Sequence, residues 1–166
     1  MKCLIFSDSH NFSLFIKKAI SLHKDTEVVF FLGDGLSDID EVHYSFPNVK
    51  FLAVRGNCDF RSVAMEEIIG KTGEIELCGK KIVYTHGDLF GAKYGTAGLE
   101  RLALQKNADI VLFGHTHTPY LSYFNEDDGK PFYLFNPGSV GYREGSFGIL
   151  TLNESSEPLF SHGSFA

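Results

Sequence analysis

The chain has 166 residues, 43% of them hydrophobic and 16 of them Phe, enough to bury a sizeable core without cross-links. Its 15 Lys and Arg face 21 Asp and Glu, a formal net charge of −6 with no basic stripe, which argues against a nucleic-acid binder that must neutralise phosphates. Cys3, Cys58 and Cys78 have no repeated spacing and argue against a disulfide framework, and no apolar run approaches the roughly 20 residues that span a bilayer.

Met1-Lys2 leads straight into residues 3–6, a short apolar run that reads as a buried strand with no leader before it. A cytoplasmic protein is expected. Residues 12–24 form a helix, with Phe12, Phe15, Ile16, Ala19 and Ile20 at three-and-four spacing and Asn11 as its N-cap. A strand at 28–32 follows, then a short helix at 37–45 capped by Ser37, then a strand at 51–54. Residues 74–78 and 81–84 pair as a hairpin through Gly79. A helix at 96–106, capped by Thr96, turns Leu99, Leu102 and Ala103 inward, and a strand at 110–113 follows. A second hairpin joins 120–124 to 132–135 through an acidic turn at 125–129, whose Glu126–Asp128 segment reads as a solvated tip. Strands at 147–152 and 159–161 complete the chain. Alternating strands and helices followed by strands define an α/β chain, and with no repeat or linker residues 1–166 read as one domain.

Five of the apolar runs end in residues that can hold a metal: Asp8 and His10, Asp34, Asn57, His86, and His115 with His117. Ligands in α/β sheets gather beyond the carboxyl ends of strands, so these donors converge on one rim. Asp8 and His10, like His115 and His117, are two apart, and in extended backbone such residues project to one side. Carboxylate, imidazole and amide donors without thiolate suit manganese, iron or zinc, with nickel also admissible. Seven donors exceed the need of one tetrahedral zinc. They suit two divalent ions roughly 3.5–4 Å apart sharing a carboxylate, and Asp34 is read as that bridge.

The ordered blocks Asp8-Ser-His10, Gly33-Asp34, Gly56-Asn57, His86-Gly87 and Gly114-His115-Thr-His117, followed by Asn136-Pro-Gly-Ser139, resemble the calcineurin-like metallophosphoesterase superfamily. The similarity is greatest to its small bacterial and archaeal phosphodiesterases. The resemblance implies two packed β-sheets in a sandwich flanked by helices, with a dinuclear site at one edge. It implies one metal held by Asp8, His10, Asp34 and His117, and a second by Asp34, Asn57, His86 and His115. It further implies attack on a small phosphate ester by a metal-bridging hydroxide, with Asp34, Asn57 and His86 in catalytic roles.

Two positions depart from the superfamily pattern. Ser37 stands where many relatives carry the second Asp of G-D-x-x-D, with Asp38 one place later, and Cys58 stands where many carry a His credited with helping the leaving group. Cys58 and Arg55 are candidate substrate contacts, and Asp88 is either a support for the ligands or a turn carboxylate. His23, His43 and His162 lie outside the motifs and read as surface residues. The same small fold also resembles the metallophosphoesterase-like subunit of the retromer coat, so a non-catalytic protein-binding scaffold is the alternative. A scaffold has no need to keep all the donors. A homodimer is compatible with either reading.

Overall fold

The computed structural model describes residues 1–125, 129–141 and 145–165, so the acidic tip at Glu126–Asp128 lies outside the described residues. In chain order the elements are β1 (Lys2–Phe6), α1 (Ser13–Leu22), β2 (Val28–Phe31), α2 (Leu36–His43), β3 (Lys50–Ala53), β4 (Val63–Ala64), β5 (Glu67–Ile68), β6 (Thr72–Leu77), β7 (Lys80–Thr85), α3 (Ala97–Lys106), β8 (Ile110–Leu112), β9 (Pro119–Phe124), β10 (Phe132–Pro137), β11 (Ser146–Thr151) and β12 (Leu159–Ser164). They build two five-stranded sheets, ordered β12-β11-β1-β2-β3 and β6-β7-β8-β10-β9, plus the β4–β5 hairpin.

The alternation of side chains along each strand explains the layers. Cys3 and Ile5 of β1, with Val28 and Phe30 of β2, face Ile82, Tyr84, Ile110, Leu112 and Phe135 of the other sheet and fill the space between the two. Their neighbours Leu4, Phe6, Val29 and Phe31 point the opposite way, onto Ile16, Ala19 and Ile20 of α1 and Leu36 and Ile39 of α2. On the far face of the second sheet, Val83, Val111 and Leu134 pack against Leu99, Leu102 and Ala103 of α3. Each fully buried Leu, Ile or Phe contributes about 1.5–3 kcal/mol relative to exposure. The result is the expected α/β sandwich with helices on its outer faces.

The parallel pairings position the functional loops. β1, β2 and β3 run parallel, with Phe6 opposite Phe31 and Phe31 opposite Ala53, while β7 and β8 run parallel in the other sheet. Their carboxyl ends therefore deliver the loops after residues 6, 31, 53, 85 and 112 to one edge of the sandwich.

Two expected helix caps are corrected. Asn11 lies at φ 74° and its amide donates to Asp38; α1 starts after Phe12, without a side-chain cap bond. α2 starts after Gly35 at φ 150°, so Ser37 is inside the helix. Thr96 does precede α3, but its hydroxyl bonds Glu100 rather than a free amide. The hairpin turn at Cys78-Gly79 has both residues at positive φ, the twist a tight two-residue connection requires. Of the three outlying histidines, His162 is exposed, while His23 and His43 are half-buried.

Candidate metal centre

The loops that carry the donors are not extended. Asp8 (φ 55°), His10 (44°), Asp34 (59°), His115 (69°) and His117 (60°) all occupy the left-handed region. Non-glycine residues there cost about 1–3 kcal/mol each, and they persist only where surrounding contacts over-determine them. This replaces the extended-backbone expectation for the two-apart pairs. His117 and His10 do meet beside Asp8, but His115 turns to a different place, beside His86. Gly56 permits a close approach: a Cβ on it would collide with Asp34 Oδ1. Gly114 is similarly confined against Ser7 and Asp8.

Two donor groups result. Ligand atoms of Asp8, His10 and His117 lie within 4.8 Å of one another, and so do those of Asp8, Asp34 and His86. His117 Nε2 is 3.1 Å from Asp8 Oδ1 and His10 Nε2 is 4.0 Å from it. His86 Nε2 lies 3.4 Å from Asp34 Oδ2, 3.1 Å from Asn57 Oδ1 and 3.1 Å from His115 Nδ1. All seven sequence-predicted ligands are thus brought together. The carboxylate common to both groups is Asp8, whereas among the described residues Asp34 clusters with His86 and Asp8.

Hydrogen bonds fix which atoms face the centre. His86 Nδ1 is 2.8 Å from the Leu32 carbonyl, which can only accept, so Nδ1 carries a proton and the neutral form of the ring would present its Nε2 lone pair inward to a metal. Asp8 Oδ2 accepts from the Ser7 hydroxyl and the His115 amide. Asp8 Oδ1 is buried and accepts no hydrogen bond among the described residues. A buried carboxylate oxygen without a hydrogen-bond donor is costly, and here the Nε2 atoms of His117 and His10 stand 3.1 and 4.0 Å from it. Those donors fit a cation.

Several residues support the donors, and two of them, Asp59 and Lys71, were not expected from the sequence. Asp59 accepts four amides: Asp34 and Gly56 on Oδ2 at 2.8 and 2.9 Å, Gly35 and Leu36 on Oδ1 at 2.8 and 2.9 Å. It ties the Asp34 loop to the Asn57 loop. Asp38 accepts from the Ser9 hydroxyl and the Asn11 amide, so it clamps the loop bearing His10, and the displacement by one residue from Ser37 falls on support rather than on a ligand. Lys71 donates to Gly56 O at 2.9 Å and pairs with Asp88 at 3.1 Å, which makes Asp88 a support. Asn136 donates to Gly114 O, and Ser139 to Asp8 O, which gives the Asn-Pro-Gly-Ser segment its purpose. The sequence signal for Asp59 was its place two residues after Asn57, where many relatives carry Asp or Glu.

The electrostatics follow from these contacts. Burial pushes the Asp34 carboxyl up, but the His86 ring and the Cys58 amide outweigh it and hold Asp34 well below the usual carboxylate range. Burial pulls His86 down, yet Asp34 and Asp8 prevail and leave it raised. His115 is lowered by burial and by the neighbouring His86. Partial desolvation and then Asp34 raise the Cys58 thiol, while burial drives Cys3 up to about 12. Iodoacetamide labelling of folded, metal-free protein is therefore expected to modify exposed Cys58 first and buried Cys3 last. The Cys58 rate should keep climbing past pH about 8.5, the ordinary thiol value. Equal labelling of Cys3 and Cys58 would contradict the packing of β1.

Beside the donors lies an open cavity of about 350 Å³ whose lining includes His10, Asp34, Cys58, Phe60 and Arg61. Arg55 does not line it, and its Nε is buried without a hydrogen-bond partner among the described residues. The expected contact of Arg55 with substrate is thus not supported by its position, whereas Cys58 stands in the cavity wall.

Residues 1–155 match the calcineurin-like phosphoesterase superfamily domain. The chain belongs to that superfamily and is a phosphoric ester hydrolase of a class that uses divalent metals. It is 31% identical over 156 residues to a probable metallophosphoesterase, YsnB of Bacillus subtilis, covering 92% of this chain and 85% of that one. Its fold superposes on an archaeal phosphodiesterase with a TM-score of 0.71 at 27% identity, covering 99% of this chain and all of the other (100%). It also superposes on Vps29 complexed with Zn²⁺ from Entamoeba histolytica, with a TM-score of 0.70, 20% identity and 100% coverage of both chains. At that identity the likeness is one of fold. Among the described residues no helix is long and apolar enough to cross a membrane.

Proposed function

We propose that this chain is a cytoplasmic phosphodiesterase whose single domain holds two divalent cations, manganese by preference and iron, zinc or nickel as substitutes. The observation that carries the reading is the pair of donor groups meeting at Asp8, whose buried Oδ1 lacks a hydrogen-bond donor among the described residues. Asp8, His10 and His117 would hold one ion; Asn57, His86 and His115 the other. Asp34, beside both Asp8 and His86, is the proposed bridge, since its carboxylate has a second oxygen to offer. Cations bound there supply a water nucleophile at neutral pH and offset the negative charge that builds on the phosphate.

The chain's own groups do the rest. The Leu32 carbonyl holds the His86 proton on Nδ1 and keeps Nε2 available. Asp59 and Lys71 hold Asn57 and Asp34 in register. Cys58, whose thiol is raised rather than activated, offers no cationic proton donor to a departing alkoxide. Proton donation by a well-placed group is worth about 10²–10⁴-fold, so esters with good leaving groups should be the better substrates.

The test is metal-free protein reconstituted ion by ion and assayed on phosphomonoesters and diesters with graded leaving groups. Activity should return with a divalent ion, favour activated diesters, and fall steeply as leaving-group pKa rises. If no ion restores hydrolysis of any ester, the scaffold reading, supported by the fold shared with Vps29, takes its place.

A further inference from the structure

The cavity next to the donors contains an unused feature. Phe60 projects from its lip with a relative exposure of 101%, three residues after Asn57 in the same loop. Single exposed aromatics are ordinary, but this one is held on both sides. Before it, Asp59 is fixed by four amide bonds. After it, Arg61 donates through Nε to Val63 O at 2.6 Å and through a terminal nitrogen to Asp40 at 2.7 Å. Asp40 is itself held by the Met65 amide at 2.7 Å. The ring therefore stands on a fixed stretch of backbone, and the ordering entropy that a mobile loop would lose on binding is already spent.

The chemistry of the surroundings narrows the occupant. His10 and Asp34 lie in the same wall, so the cavity stands open beside an organic substituent on a phosphate at the donors. A free aromatic face recognises another planar ring by stacking. Arg61, half-exposed and paired with Asp40, lines the same cavity beyond Phe60 and holds that wall in place. About 350 Å³ is enough for a ring-bearing group and falls within the range of small-ligand sites.

We infer that Phe60 and Arg61 form a subsite for a planar aromatic substituent on the phosphodiester, so that substrates carrying an aryl or nucleobase ring are preferred over simple alkyl esters. This rests on the phosphodiesterase reading and names the substrate class of the same site.

The test uses diesters with a common p-nitrophenolate leaving group and a second substituent that is methyl, phenyl or 5′-thymidyl. Wild type should prefer the ring-bearing esters. Phe60→Ala should lower the ratio of ring-bearing to methyl kcat/KM about tenfold, through KM, as loss of one stacking contact does; Phe60→Tyr should retain the ratio. The arm that falls further identifies the source, phenyl for aryl esters and thymidyl for nucleotides. A second readout needs no turnover. Phenylphosphonate should slow iodoacetamide labelling of Cys58, which shares the cavity, more than methylphosphonate does, and Phe60→Ala should erase that difference. A wild type indifferent to the ring, or a Phe60→Ala loss equal for all three esters, overturns the subsite and leaves the phosphodiesterase reading standing. A wild type that hydrolyses none of the three overturns both.

Discussion

Replacing Asp34 by Asn should reduce kcat/KM by at least about 10³-fold and leave fewer than two ions bound, because the loss of a shared charge is worth several kcal/mol at the transition state. The amide oxygen of Asn can still accept from the Cys58 amide, which Asp34 Oδ1 now does at 2.7 Å, so the fold should survive. The change removes the negative charge beside His86. The pH behaviour of metal-free protein separates this from a local unfolding. The folded pKa of Asp34 is lowered, so its contribution to stability is complete above the unfolded value of about 3.9 and is lost as pH falls through the folded value. In Asp34→Asn that part of the acid destabilisation should be missing. Elemental analysis, thermal melts across pH and diester assays together make the check. Two ions at full occupancy in Asp34→Asn would end the bridging assignment, and attention would pass to Asp8, the carboxylate common to both donor groups.

The positions of the candidate donors were legible because each comes just after a short run of Val, Ile and Phe, and a parallel strand delivers the loop at its carboxyl end to a predictable edge. Asp8, Asp34 and His86 needed no finer knowledge than that. The conformation of their loops was less legible. Nothing in Asp8-Ser-His10 announces two left-handed residues, since the strain is sustained by contacts from Gly33, Asp38 and Ser139. The same competition explains the misplaced caps. Asn11 and Ser37 have the right side chains, but the Asn11 amide is claimed by Asp38, and the Gly35 and Leu36 amides by Asp59. Arg55 read as a substrate contact from its nearness to Asn57 in sequence, yet its backbone is tied to Gly70 and its Nε is buried. Supports such as Asp59 and Lys71 act on amides and carbonyls up to 25 residues away, and a contact of that kind leaves no local spacing to read.

Asp59 is the support whose loss should cost most. Its two oxygens hold the amides of Asp34, Gly35, Leu36 and Gly56, so Asp59→Ala leaves four donors to find water or strain the loops. Bonds to an ionised acceptor are the stronger kind, and stranded donors cost about 1–3 kcal/mol each when buried. Because the loop is partly open to solvent, a net loss of about 3 kcal/mol is expected, roughly 6–12 °C in Tm for a domain near this size. Activity should fall by about 10–100-fold, the usual effect of removing a group that orients ligands. Asp59→Asn should not rescue it, since its NH₂ group would meet two amide donors where an oxygen now accepts. Excess divalent ion should restore part of the activity and part of the Tm in Asp59→Ala, because ions that bind only the folded loops stabilise them by mass action. A role for Asp59 confined to touching substrate predicts a different pattern: activity lost, with Tm and metal content at wild-type values. That pattern would remove Asp59 from the scaffold of the centre and put it in the cavity wall alone.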